Sequence, residues 1–299
     1  MGISRVTHSM LTQRSVDRMQ GSLTRLADAQ EKLSTGRVLN RPSDSPADTA
    51  AAMRLRAGLR QQAQFERNAS DGLGWLAQTD STLQSMTQQL QRAHQLAIQG
   101  ANTGGLSAAG REAIATELEG LRESLIATAN QTYLDRPVLG GITAGGRAFD
   151  DTGAYVGTDG DVRRTIGEGI TVSVNLTASD VVGDPAAPGG TIFDQLAALA
   201  NAVRAGNGAA IATGITGMKD GVERVVTAQS DAGTRYAQVE KAYQMSTDIE
   251  ISLRTRLSDL EDADLAEATI DVSTQEVAYQ AALASTARVI QPSLLDFLR

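Results

Sequence analysis

Cysteine is absent from the 299 residues, so no disulfide and no thiolate metal site can form. Histidine is nearly absent. His8 and His94 stand far apart in sequence, which argues against a histidine-rich metal centre. Aromatics make up 3% of the chain, with one Trp, four Phe and five Tyr. A compact enzyme core usually fills its thickness with aromatics, because each buries a large apolar area. A chain this poor in them, and rich in Ala, Leu, Gln, Arg and Glu, suits thin helix–helix seams. No run approaches the roughly 18 apolar residues of a membrane span. The opening residues 1–20 show no apolar core of a signal peptide. That reads as cytosolic, or as exported by a route that cleaves no signal. A net charge of −8 argues against a general nucleic-acid binder.

Catalytic patterns are missing as well. There is no HExxH, no phosphate-binding P-loop, no dinucleotide fingerprint and no nucleophile elbow. Thr158-Asp159-Gly160-Asp161 lacks the ligand spacing of a calcium loop and reads as a hairpin turn. Asp259, Glu261, Asp262 and Asp264 on a helix would point several ways, as a solvated or partner-facing surface does. The chain is therefore expected to be no enzyme, with no catalytic, metal or cofactor-binding residue and no cofactor.

What is present is helical pattern at both ends. Val16, Met19, Leu23, Leu26, Gln30 and Leu33 are spaced 3, 4, 3, 4, 3, the a/d seam of a coiled coil. One helix cannot bury such a seam alone, so a partner is implied. The helix is predicted to stop in STGRVLNRPSDSPAD, where Gly36 can adopt the left-handed conformation and Pro42 and Pro46 restrict their predecessors. Ser45 is a good N-cap for a second helix, with Pro46 at its first position and Asp48 at its third. That helix is predicted to run from Pro46 to about Gln99, bent at Gly72 and Gly74. Its seam is Leu55, Leu59, Gln62, Ala69, Leu73, Leu76, Leu83, Met86 and Leu90. After GANTGG (100–105) an antiparallel neighbour follows to about Asn130.

Between 131 and 190 Gly, Asp and Thr become frequent. Ile170, Val172, Val174 and Leu176 alternate with polar residues, the period of a strand. Helix is predicted again at 192–205 and from about 209 onward. One seam there is Ile249, Leu253, Leu257 and Leu260; the last is Leu283, Ala287, Ile290, Leu294 and Phe297, interrupted by Pro292.

The two ends carry opposite charge. Residues 1–67 hold eleven Lys/Arg against six Asp/Glu, and residues 238–299 hold five against eleven. Opposite charges beside apolar seams favour pairing of one end with the other. The predicted fold class is mainly α, a long antiparallel helical rod of paired N- and C-terminal segments with a small β-rich excursion. The predicted segments are 1–42, pairing with 258–299 as a terminal assembly domain; core helices 43–131; a β-rich variable region 132–190; and core helices 191–257. The narrow terminal seams should order only in an assembly, because they bury too little to offset their ordering entropy.

At this point several stretches resemble the bacterial flagellins and their relatives. LSTGRVLNRPSDSPADTAAAMRLRAGL (33–59) is similar to the family's junction between terminal and core parts. LQRAHQLAIQGANTG (90–104), LSDLEDADLAEA (257–268) and AYQAALASTARVIQPSLLDFLR (278–299) resemble its other motifs, so the likeness covers roughly 1–140 and 220–299. Asn40, Arg41, Pro42, Ser43 and Asp44, followed by Ser45-Pro46-Ala47, and the ending Gln291 to Leu298, favour the branch that joins hook to filament over the filament proteins. A short flagellin remains the alternative, and a cytosolic coiled-coil scaffold or an enzyme are readings from other classes. The resemblance implies export unfolded through the flagellar channel and assembly through the terminal helices. The expected interface is Val16, Met19, Leu23, Leu26, Leu33, Leu283, Ile290, Leu294 and Phe297. The implied partners are further copies in a helical ring, the neighbouring hook-side junction protein, flagellin and an export chaperone, with no nucleic acid and no membrane.

Overall fold

A computed structural model describes the backbone of residues 2–102, 105–187 and 189–290, and the side chains of Met10 and of residues 13–287 except 103, 104 and 188. The described residues gather into two compact units, one within 1–60 and 250–299 and one within 61–249. Among the described residues seven helices dominate: α1 (Gly2–Thr35), α2 (Pro46–Ala101), α3 (Ala108–Ala129), α4 (Ala178–Val182), α5 (Ile192–Ala205), α6 (Gly208–Glu261) and α7 (Leu265–Ile290). Two antiparallel pairs complete them: β1 (Thr132–Tyr133) with β2 (Arg136–Pro137), and β3 (Arg163–Gly167) with β4 (Ile170–Ser173). The mainly α class is as the patterning indicates.

In the 61–249 unit the predicted α2 stripe is the core. Ala69, Leu76, Leu83, Met86 and Leu90 are buried, and Trp75 with them. They meet Ile114, Leu118 and Leu125 of α3, Leu196, Leu199 and Val203 of α5, and Met218, Val225 and Val239 of α6 in one cluster. Arg204 of α5 ties this packing down at its edge, donating to Glu112 and Glu119 of α3.

The β-rich excursion belongs to the same cluster. Val138, Phe149, Ile166, Val172, Val174, Leu176 and Val181 are all buried in it. Phe149 packs edge-on against Tyr155 and Phe193. The predicted inward alternation holds at Val172, Val174 and Leu176. It fails at Ile170, which is 40% exposed at the hairpin turn, beside Gly169 and a register shift between Thr165 and Gly167. Arg164 bonds Asp71 at 2.7 Å, and Asn68 donates to the carbonyl of Thr165, so α2 holds the hairpin down.

Gly72 and Gly74 are sites of close packing. Helix α2 runs unbroken through both. A Cβ on Gly72 would lie 3.1 Å from Val174, and one on Gly74 would lie 2.3 Å from the Tyr133 hydroxyl. The glycines let the excursion approach the helix backbone, and they do not interrupt the helix.

Candidate assembly surfaces

In the unit made by the two chain ends, α1 packs along α7. Helix α1 ends where α7 begins, through an antiparallel bridge of Arg37 with Asp262, so the two helices run antiparallel. Among the described side chains of α1 the buried residues are Ser22, Leu26 and Ala29, flanked by half-buried Met19 and Leu33. Their spacing is 3, 4, 3, 4, a heptad, but in a different phase from the predicted one. Met19, Leu26 and Leu33 are shared; Ser22 and Ala29 replace Leu23 and Gln30. Leu23 is 49% exposed and Gln30 is exposed. Burying the Gln30 amide without partners costs free energy, whereas Ala29 costs nothing and lets the helices approach closely. Burial on α7 follows the same rhythm through half-buried Val272, Gln275, Tyr279 and Ala282 to Thr286, which is 6% exposed. Leu283 and Ala287, predicted for that seam, are exposed, because they sit one position beyond the small residues that face inward.

The predicted assembly residues therefore separate. Leu26 is consumed by the α1–α7 pair, and Val16, Met19 and Leu33 are half-buried at its edges. Leu23 and Leu283 face outward. The Ile290 side chain, Leu294 and Phe297, with the kink expected at Pro292, lie outside the described residues. Further outward-facing apolar residues were not in the predicted set: Leu265 at 57%, Ile270 at 67% and Val277 at 66% exposure on α7, and Met53 at 64% on α2. A signal for Ile270 and Val277 was available, since they stand seven residues apart on a helix and share a face.

The Asn40–Asp44 motif builds a compact knuckle. One carboxylate oxygen of Asp44 accepts from the Asn40 and Arg41 amides at 3.1 and 2.7 Å. Arg41 reaches back to Glu31 of α1 at 2.7 Å, and the Asn40 side chain donates to the Arg37 carbonyl. Gly36, at φ +66°, ends α1 as expected, and the Ser45 hydroxyl bonds the Asp48 carboxylate at the start of α2. The second strand of the knuckle is the break between α6 and α7. There the Val38 amide donates to the Glu261 carbonyl at 2.7 Å, and the Ala263 amide to the Gly36 carbonyl at 2.8 Å.

In the acidic run Asp259, Asp262 and Asp264 are exposed, as a solvated surface would be, and Glu261 departs from that expectation. Glu261 is 4% exposed; its carboxylate meets Arg56 at 2.8 Å and has Arg37 at 3.9 Å. Asp262 accepts from Ser258, and Asp264 caps α7 by accepting from the Ala266 amide at 2.8 Å. A buried carboxylate needs such partners. The sequence signal was the coincidence of Gly36, Pro42 and Pro46 on one strand with Asp-Ala-Asp on the other, two helix breaks that have to meet.

Among the described residues no group of three or more His, Asp or Glu is placed to hold a metal ion. Among them, too, no helix is long and apolar enough to cross a membrane. The surfaces offer packing and ion pairing.

Comparison with known proteins agrees with this architecture. The bacterial flagellin N-terminal helical region matches residues 3–138, and the bacterial flagellin C-terminal helical region matches residues 215–298. The flagellar hook-associated protein 3 of Salmonella typhimurium is 23% identical over 93% of this chain and 94% of its own length. The phase 1 flagellin of Salmonella naestved is 32% identical, but over only 42% of this chain and 24% of its own. The solved hook-associated protein 3 of Legionella pneumophila superposes with a TM-score of 0.61 at 14% identity, covering 70% of this chain and 98% of that one, which establishes the shared fold. With both terminal regions matched around a helical core of the same fold, the chain belongs to the bacterial flagellin family.

Proposed function

We propose that this chain is a structural subunit of the bacterial flagellum, outside the cell, that joins the hook to the filament through its terminal helices. The observation that carries this reading is the extent of likeness. Alignment with hook-associated protein 3 runs through 93% of the chain, whereas alignment with the filament protein stops at 42%. The outward-facing apolar residues of α1 and α7 support an assembly role, since a pair sufficient to itself would leave fewer exposed. No catalytic step is assigned to any residue.

Its partners on this reading are further copies in a helical ring, the hook-side junction protein, flagellin and an export chaperone for the C-terminal helix. The chain leaves the cell unfolded through the flagellar channel. The terminal segments, 1–42 with 258–299, form the inner wall of the assembly. The motif Asn40–Asp44 marks the passage to the core helices.

Immunogold labelling of sheared flagella tests this. One band at the hook end is the expected result. Labelling along the whole filament would instead establish the short-flagellin reading, and protein confined to the cytosol would overturn both.

A further inference from the structure

Two outward surfaces of the terminal unit are complementary in shape of pattern and in charge. On α7, Ile270, Thr274 and Val277 stand at i, i+4 and i+7, one exposed face along which Thr269, Ile270, Ser273, Thr274 and Val277 line a shallow groove. Carboxylates border it: between Leu265 and Ala287 the chain has Glu267, Asp271 and Glu276 and no Lys or Arg. Lys32 of α1 lines the neighbouring groove together with Asp264, Glu267 and Asp271.

On α2, Met53, Ala57 and Arg60 likewise stand at i, i+4 and i+7, and all three are exposed. This face is basic. Arg60 is exposed on it, and Arg37, Arg41 and Arg56 line the adjoining depression with Met53, Leu39 and Ala52. Glu261 at its base is engaged by Arg56, and Asp44 by the knuckle amides. Three guanidiniums thus border a hollow whose apolar lining is Leu39, Pro42, Ala52 and Met53; Arg56 and Arg37 also face Glu261, and Arg41 also pairs with Glu31.

We propose that the acid-bordered stripe of α7 seats on the arginine-bordered hollow around Met53 of a second copy of this chain. The proposal rests on the assembly role above and names the surfaces that carry it. The occupant follows from charge and from apolar exposure. Ile270 and Val277, each about two-thirds exposed, need a cover, and Met53 is exposed to the same degree on a surface of opposite charge. Because the two faces differ, the contact is heterologous. It repeats from copy to copy along an open or ring-closed array and does not end at a pair.

The cysteine-free chain allows a direct test. Cells express Met53→Cys and Ile270→Cys full-length chains, singly or together, and sheared flagella are treated with a short bismaleimide; Val277→Cys serves as a second α7 probe. The expected result is a cross-linked dimer only when a Met53→Cys chain and an α7 variant are expressed together. Dimers from either single variant, or no dimer although both chains are in the flagella, overturn the proposal while the junction role stands. If even the unsubstituted chain is missing from flagella, that role fails and the proposal with it.

Charge reversal provides a second readout that a folding defect would not imitate. Arg60→Glu, or Glu267→Arg with Asp271→Arg, should each lower incorporation by roughly tenfold, and the three changes in one chain should restore it. Failure of the combined chain to recover while remaining folded and exported would overturn the pairing.

Discussion

The Arg56 guanidinium meets the Glu261 carboxylate at 2.8 Å across 205 residues of sequence. Glu261 is buried and Arg56 is about half-exposed, so the pair closes the knuckle at which the breaks in the two chain ends meet. Glu261→Gln keeps the shape and removes the charge. With solvent screening of Arg56 taken into account, the cost is about 1–2 kcal/mol, below that of a fully buried pair. It should appear as local opening, read by tryptic cleavage after Arg37 that is several-fold faster than in the unsubstituted chain.

Leu26 and Leu23 sit three residues apart and should behave oppositely. Leu26→Ala empties a buried site and should destabilise the α1–α7 pair by about 2–3 kcal/mol. Leu23→Ala changes an exposed site and should shift folding stability by about 0.5 kcal/mol or less. Hydrogen exchange across 13–35 separates the two. On the assembly reading, Leu23→Ala lowers incorporation into flagella all the same.

Glycine substitutions should change sign with position. Gly74→Ala drives a Cβ into Tyr133, whose ring is packed edge-on against Trp75 at 5.9 Å, and should cost about 1–2 kcal/mol despite better helix propensity. Gly120→Ala, at an exposed position of α3 with nothing within 4 Å, should stabilise by about 0.5–1 kcal/mol. Thermal melts of the two variants provide the comparison.

Tyr155 should make the 61–249 unit sensitive to alkali. Burial, and then the nearby Asp159 carboxylate, push its hydroxyl up to about 12. An acid whose folded value lies above its unfolded value of about 10 stabilises the fold below pH 10. That contribution is lost as the pH rises from 10 through 12. Tyr155→Phe should flatten this part of the stability profile, measured by denaturant melts between pH 9 and about 12.

Periodicity along the chain was enough to identify the long helices, the end of α1 at Gly36, the start of α2 at Pro46 and the core stripe from Ala69 to Leu90. Each depends on local chemistry: a left-handed glycine, a capped proline start, or a spacing that only one helix face can satisfy. The paired ends were legible too, from heptads and opposite charge. Their phase was not. Met19, Leu26 and Leu33 serve either seam, and only packing against α7 selects Ser22 and Ala29 over Leu23 and Gln30.

The role of Glu261 was equally invisible one residue at a time, since a carboxylate in an acidic helix end looks solvated until Arg56 is brought to it from 205 positions away. Gly72 and Gly74 read as helix defects until Val174 and Tyr133 arrive against them. Local sequence thus determined which segments are helical and that the ends seek partners. Tertiary structure decided which side chains that partnership consumes and which it leaves exposed, because burial depends on the neighbouring element, which a single helix's own pattern does not contain.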